Sequence, residues 1–386
     1  MPDVTHVYKE KGECSGCSLC EYVCPKNAVK MTEKDGFLYP EIDSELCIDC
    51  GLCAKKCPFT EEKKEESNCL QAYAVKHKDK SVIKSSSSGG IFTALSDYVL
   101  SQGGYVIGAD FDGEMNVIHT VADNKEARDR MRGSKYIQSN TSGIFGITEK
   151  LCAEDKPVLF TGTPCQAAAV RKAFPDEKNL YIIDIICHGV PSPDVWKKYV
   201  AFIEEKYGKK LTFFSFRDKE KSGWRGYSAR LTLEDGSVVS HNDITGSFIE
   251  IFRYDVCLRQ SCTECPFASR HRQGDITIGD FWGIEAVMPE ISDNEGISAV
   301  MLNSDKGKAL FEAVSENVVS YPCTQTDIAK KQPNMSAPSG YSNKADSFNA
   351  DLKALPFDEI LKKYTRVGVK RRLIDTAKSF ISAVKG

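Results

Sequence analysis

From residue 69 onward, short apolar runs alternate with amphipathic stretches. "YVIGADFD" (105–112) and "VIHTVAD" (117–123) read as strands around a short turn. "PVLFTG" (157–162) and "LYIIDIIC" (180–187) are apolar runs short enough to be buried strands. Between them "TPCQAAAVRKAF" reads as a helix with Pro164 in its first turn. "SPDVWKKYVAFIEEKYG" is a second helix, started by Ser192 and Pro193 and ended by Gly208. "LTFFSFRDK" and "YSARLTLEDGSVVS" predict a later hairpin with an Asp-Gly turn, and "GDITIGDFWG" contains another strand. Strand and helix in alternation predict a mixed α/β layered domain.

The first sixty residues follow a different rule. "CSGCSLCEYVCP" and "CIDCGLCAKKCP" are both C-x2-C-x2-C-x3-C-P, a twofold repeat with the spacing of a bacterial two-cluster ferredoxin. Three cysteines on one tight loop reach three irons of a cubane, and the fourth points to the other cluster. Cys14, Cys17, Cys20 and Cys57 are therefore expected to hold one 4Fe–4S cluster, and Cys47, Cys50, Cys53 and Cys24 the other. Pro25 and Pro58 turn the chain away after each fourth ligand. Zinc is the competing reading, but crossed triplets do not suit it. The apolar-poor run "EEKKEESN" (61–68) predicts a linker, so that residues 1–60 form a separable domain. The remaining divisions are a body over 69–345 and a helical extension over 346–386.

Composition adds limits. The chain has 386 residues, 41% hydrophobic and 27% charged, enough for a sizeable core. A net charge of −3 gives no general attraction to nucleic acid or membrane. No apolar run reaches the length of a membrane span, and no apolar leader precedes the first cysteine, so a cytoplasmic location is expected. Sixteen cysteines in such a compartment point to metal rather than disulfides. The tail "VGVKRRLIDTAKSFISAVKG" is basic and amphipathic; a helix covering the core is expected there, with a partner or membrane surface as the alternative.

Half of the cysteines lie outside the repeat. Cys262 and Cys265, with proline following, read as half of a third four-cysteine site. Cys187 ends one predicted strand, and Cys165 starts the helix after another. If those strands share a sheet, both cysteines reach its C-terminal edge, where ligands of open α/β sheets bind. Cys165 is the first choice for fourth ligand and Cys257 the competitor. At a helix start Cys165 is expected to have a lowered pKa; a nucleophile with His188 as its base is the alternative role. Cys69, Cys152 and Cys323 have no partner at useful spacing and read as structural thiols.

Three other stretches look like sites. In "SSSSGGIFTALSDYVL" small residues open a helix whose bare N–H groups suit a phosphate, a flexible serine loop being the alternative. "RGSKYIQSN" (132–140) offers a lysine and amides to a phosphate or a flavin edge, and "FTGTPCQAAAV" is a strand–turn–helix. No G-x-G-x-x-G follows a strand, which argues against a Rossmann nicotinamide site. No catalytic residue is singled out.

"SSSSGGIFTAL", "GSKY", "FTGTPCQAAAV", "IDIICHGVPSP" and "LRQSCTECPFASRHRQGDITIGDFWGI", in this order, resemble the coenzyme F420 hydrogenase/dehydrogenase beta-subunit family over roughly residues 69–340. The resemblance implies an α/β domain that binds FAD with one 4Fe–4S cluster near it, fused behind the ferredoxin unit. By motif position it implies Ser88, Gly89 and Gly90 near the pyrophosphate and Ser134, Lys135, Gln138 and Ser139 along the flavin. Thr163, Gln166, His188 and Asp280 would flank ring and cluster, and Arg270 and Arg272 would offer charge to an anionic substrate or the flavin phosphates, unless they are an ordinary solvated loop. The expected function is an iron–sulfur flavoprotein oxidoreductase. It would exchange electrons with ferredoxin or a redox partner protein, and hydride with F420 or another small two-electron donor or acceptor. The alternative is an electron-transfer subunit of a hydrogenase- or dehydrogenase-type complex with no substrate of its own.

Overall fold

The computed structural model describes residues 7–60, 63–226 and 228–367. The basic tail from residue 368 onward lies outside the described residues, so the reading of that helix is not addressed by it. No helix of the described residues is long and apolar enough to cross a membrane.

Near the N-terminus, β1 (Val29–Lys34) and β2 (Phe37–Ile42) form an antiparallel hairpin beside two short helices, Leu19–Tyr22 and Leu52–Lys56. In the body, β3 (Gln71–His77), β4 (Tyr105–Phe111), β5 (Val117–Ala122), β6 (Val158–Gly162) and β7 (Leu180–Ile185) belong to a large sheet. A separate three-stranded antiparallel sheet holds β8 (Leu211–Ser215), β9 (Arg230–Leu233) and β10 (Val238–Ser240), with the expected turn at Asp235–Gly236. β11 (Ile276–Asp280), β12 (Ser298–Leu302) and β13 (Val318–Cys323) complete the eight-stranded sheet, ordered β13-β3-β12-β11-β7-β6-β4-β5. Its centre, β11-β7-β6-β4, is parallel, and the outer pairings are antiparallel.

Alternation within the central strands sets the two layers. Val106, Leu159 and Ile183 face one apolar layer with Leu95 and Val99 of the helix Ile91–Ser101. Ile107, Phe160 and Ile182 face the other, against Ala167 and Val170 of the helix Pro164–Ala173. A further core joins the helices Pro193–Tyr207 and Asp243–Arg253 to the small sheet. The segment expected as an extension from residue 346 is part of that core: Phe348, Phe357 and Leu361 are buried in it.

The N-terminal unit is not set apart as its charged linker suggests. Leu19 is buried in the second layer beside Ile144 and Phe145, and Tyr22 stacks on Phe145 with ring centroids 5.5 Å apart. The linker itself is bound along the loop 269–272. Ser269 donates to the Lys64 carbonyl, and Asn68 and Arg272 exchange hydrogen bonds of 3.1 and 2.8 Å.

One buried ion pair fixes the loop that carries Cys262 and Cys265 to the end of β7. Asp184 and Arg272, 0% and 1% exposed at their side chains, meet at 3.0 Å; Thr277 and the Gln273 amide also donate to Asp184. Arg272 is thus a buried, paired residue and not the solvated or substrate-facing charge its sequence context suggests. Asp184→Asn, which leaves the guanidinium buried and unpaired, is expected to destabilise the fold by about 3–5 kcal/mol in urea unfolding.

Candidate functional site

The parallel strands β6, β7 and β11 end together, and the segments that follow them build the site. Beyond β6, Thr163 caps the helix Pro164–Ala173, and its backbone N–H donates to Gln166 Oε1 at 3.0 Å. That fixes Cys165 in the first turn, its sulfur 3.1 Å from the Thr163 hydroxyl. Beyond β7 comes Cys187, and the loop 257–265 packs over both. Cys165, Cys187, Cys262 and Cys265 line one small cavity. Cys257 does not join them: it is buried in the apolar core beside Val256 and Ile251, and its carbonyl accepts from Ser192 N at 3.0 Å.

The N-terminal cysteines form two further sets. Cys14, Cys17, Cys20 and Cys57 line one cavity, and Cys24, Cys47, Cys50 and Cys53 another. The repeat is visible in the backbone. Gly16 and Asp49 occupy matching places with φ of 68° and 52°, as do Ser18 and Gly51 with 64° and 66°. Left-handed residues at these places turn amide N–H groups toward sulfur: Gly16 N and Asp49 N lie 3.4 Å from Cys14 Sγ and Cys47 Sγ. Ala28 N and Val190 N do the same for Cys24 and Cys262, at 3.2 and 3.4 Å. Among the described residues no three His, Cys, Asp or Glu side chains converge as a single metal ion requires; the sulfurs surround spaces.

Burial pushes these thiols up. Cys17 and Cys262 rise to about 12 and Cys265 to about 11, with burial the largest cause in each case and neighbouring thiols adding to it. Cys165 is also raised, because burial outweighs the Thr163 hydrogen bond and the Arg259 charge. The lowered pKa expected from its helix position is therefore absent. Nor does a Cys–His pair form: His188 Nε2 is 2.6 Å from Asp255 Oδ1, and its Nδ1 faces Asn334 Oδ1 at 3.2 Å. For His188, burial alone lowers the pKa, and the Asp255 carboxylate reverses the direction.

Beside the third cysteine set lies a cavity of about 500 Å³, a size usual for small-molecule and cofactor sites. The two share a wall made of Thr163, Cys187, His188, Gly189, Val190 and Asn334. Ser88 and Gly90 line the large cavity at the start of the helix Ile91–Ser101, with Gly90 as cap at φ 91°. Gly89 lies behind them, bonded to the sheet through Ser298 Oγ at 3.0 Å. A Cβ there would come within 2.3 Å of the Val75 carbonyl, so only glycine lets the serine loop reach the sheet. The loop is folded against the protein: Ser88 Oγ donates to the Ile297 carbonyl at 2.7 Å.

Ser134, Lys135, Ser139, Thr163, Gln166, His188 and Asp280 also line the large cavity. Burial holds the Lys135 ammonium down at about 8. Asp280 accepts from Arg217 Nη1 at 3.1 Å and Trp224 Nε1 at 2.6 Å. Gln138 faces away. It does not line the large cavity, and its amide donates to the Ser15 carbonyl at 2.7 Å. Arg270 is exposed and bonded to Thr326 at 3.4 Å, and neither it nor Arg272 reaches the large cavity.

Several wall residues were not singled out from the sequence. Arg132, Arg217, Arg253 and Lys331 bring positive charge, with Arg217 5.0 Å from the Trp282 ring centre. His119, on β5, donates from Nε2 to the Thr161 carbonyl at 3.0 Å, and its Nδ1 has no partner among the described residues. Burial pushes it down to about 4, so it stays neutral. The inward face of "VIHTVAD" was the available signal for His119, and the stretch "RGSKYIQSN" that for Arg132; Arg217, Arg253 and Lys331 come from separate segments and gave none.

Comparison with known proteins adds the lineage. Two parts of one family model match in order: "Coenzyme F420 hydrogenase/dehydrogenase, beta subunit N-term" over residues 72–145 and its C terminus over 155–323. The chain belongs to this beta-subunit family. A 4Fe-4S dicluster domain matches residues 13–60, so the protein is an iron–sulfur electron-transfer protein of an oxidoreductase family. An uncharacterized protein of Methanocaldococcus jannaschii is 22% identical over 348 residues, 81% of this chain and 89% of that one. A subunit of the F420H2 dehydrogenase of Methanosarcina mazei is 27% identical over 192 residues, 45% of this chain and 53% of that one. This chain thus spans about half of that relative. A chain of the F420-reducing NiFe hydrogenase complex from Methanosarcina barkeri aligns with a TM-score of 0.44 at 19% identity, covering 81% of this chain and 95% of that one.

Proposed function

We propose that this family member is an iron–sulfur flavoprotein that passes electrons between a two-electron substrate and a one-electron partner protein. The observation that carries the proposal is the succession of cavities. The large cavity shares a wall with the Cys165–Cys187–Cys262–Cys265 set. Ser15 lines both that set's cavity and the Cys14–Cys17–Cys20–Cys57 cavity. Cys20 in turn packs with Cys24 and Cys53 of the last set, where Cys50 is exposed.

The donor sets suit 4Fe–4S clusters. Iron bound as a cationic core would displace the thiol protons to solvent and compensate the buried thiolates, and the amides aimed at sulfur would stabilise them further. The large cavity suits FAD. Its cations would hold a dinucleotide pyrophosphate, and the N-terminus of the helix Ile91–Ser101 would add to them. His119, held as an acceptor, would take a hydrogen bond from the bound cofactor. A flavin held there would supply the conversion between electron pairs and single electrons. Thr163, Gln166 and Ser139 form one bonded chain, with Gln166 Nε2 2.9 Å from Ser139 Oγ, and so hold the wall between flavin and cluster rigid. The substrate class is F420 or another small hydride carrier.

The reading in which the protein is an electron-transfer subunit has its own support. Leu46 and Ile48 are 47% and 57% exposed beside Cys50, a surface suited to a docked electron carrier. A hydride donor mixed anaerobically with the purified protein separates the two. Reduced F420 is expected to bleach the iron–sulfur absorbance of the isolated chain; bleaching only by a reduced partner protein would favour the subunit reading.

A further inference from the structure

Arg259 is a fully buried cation between the N-terminal unit and the body, 0% exposed. Its Nε donates to the Cys14 carbonyl at 2.7 Å and its Nη2 to the Leu38 carbonyl at 2.9 Å. The same Nη2 lies 3.6 Å from Cys14 Sγ, and Nη1 donates to Gln138 Oε1 at 3.0 Å. The guanidinium stacks on Tyr39, 4.1 Å from the ring centre. Arg259 also lines the cavity of Cys165, Cys187, Cys262 and Cys265.

None of these partners is a carboxylate. A buried cation without a counter-charge is costly, and the groups able to supply negative charge on both sides are the two cysteine sets. A 4Fe–4S cluster with four thiolates carries net negative charge, and each reduction adds one electron and no proton. A fixed positive charge beside it favours the reduced form.

We infer that Arg259 is a positioning residue shared by the two inner clusters, raising both reduction potentials together so that electrons pass between them without a large step. The inference rests on the proposed third cluster for one of its two halves. Arg259 bonds Cys14 of the inner ferredoxin-type set but neither bonds nor lines the cavity of Cys24, Cys47, Cys50 and Cys53, so that outer cluster serves as the internal control.

The test is an EPR-monitored redox titration of the full chain, with iron analysis, for wild type, Arg259→Lys, Arg259→Gln and Arg259→Met. Both neutral variants are expected to keep their iron and to shift two of three midpoints negative. The expected shift is on the order of tenfold in the reduction equilibrium, about 59 mV for one electron. The third midpoint stays in place, and Arg259→Lys stays near wild type. Unmoved midpoints overturn the inference, as does loss of iron from both neutral variants, which would make Arg259 a structural anchor only. Wild-type iron of about eight instead of about twelve removes the third cluster and with it the proposed function's junction. The inner ferredoxin midpoint is then read alone, and its shift or constancy still decides the role of Arg259.

Discussion

Cys165→Ser is expected to lower iron from about twelve to about eight per chain, since each 4Fe–4S cluster carries four. Serine is near-isosteric, but its hydroxyl is a poor iron ligand. The loss falls at the wall shared with the large cavity, so electron exchange between flavin and the ferredoxin-type clusters should stop while hydride reduction of the flavin continues. Cys257→Ser provides the contrast. Its sulfur lies in the apolar core, and the change is expected to keep all iron and cost about 1 kcal/mol. Iron and sulfide analysis with EPR spin counting on both variants reads the outcome. Full iron in Cys165→Ser with loss in Cys257→Ser would exchange their roles.

Removal of residues 1–60 is expected to abolish a stable fold of the remainder. The deletion uncovers Ile144 and Phe145, which pack around Leu19. It also takes from Arg259 the carbonyls of Cys14 and Leu38 and the Tyr39 ring. Each large apolar side chain left in water costs about 1.5–3 kcal/mol, a sizeable share of the 5–15 kcal/mol typical of a folded domain. Aggregated protein without a cooperative unfolding transition is the predicted result, by circular dichroism and size exclusion. A soluble, flavin-loaded fragment would restore the separable domain that the charged linker suggests.

What the sequence discloses here is what is local. The ferredoxin-type repeat is legible because its ligands lie within a dozen residues, and the same spacing recurs with the left-handed backbone positions exchanged between Gly16 and Asp49 and between Ser18 and Gly51. Apolar runs such as "VLF" in β6, buried on both faces, give the central strands. The meeting of Cys165 with Cys187 is legible one step further out, because parallel neighbours β6 and β7 must end on one edge. Charges that gain partners from distant segments are not legible. Arg272 looks like a surface arginine in "SRHRQG" until Asp184 is placed beside it. Arg259 and Gln138, far apart in the chain, meet only in the folded body, where both also bond the N-terminal unit. Gln138 and Ser139 show the limit of motif position: although adjacent, the one bonds Ser15 and Arg259 and only the other reaches the large cavity.

The succession of redox sites is tested most directly by counting electrons. Anaerobic reductive titration of the full chain, followed by visible absorbance and EPR, is expected to take up about five electrons per molecule, one for each of three clusters and two for the flavin. An uptake of about two electrons, with no flavin released on denaturation, would leave only the two N-terminal clusters and contradict the account.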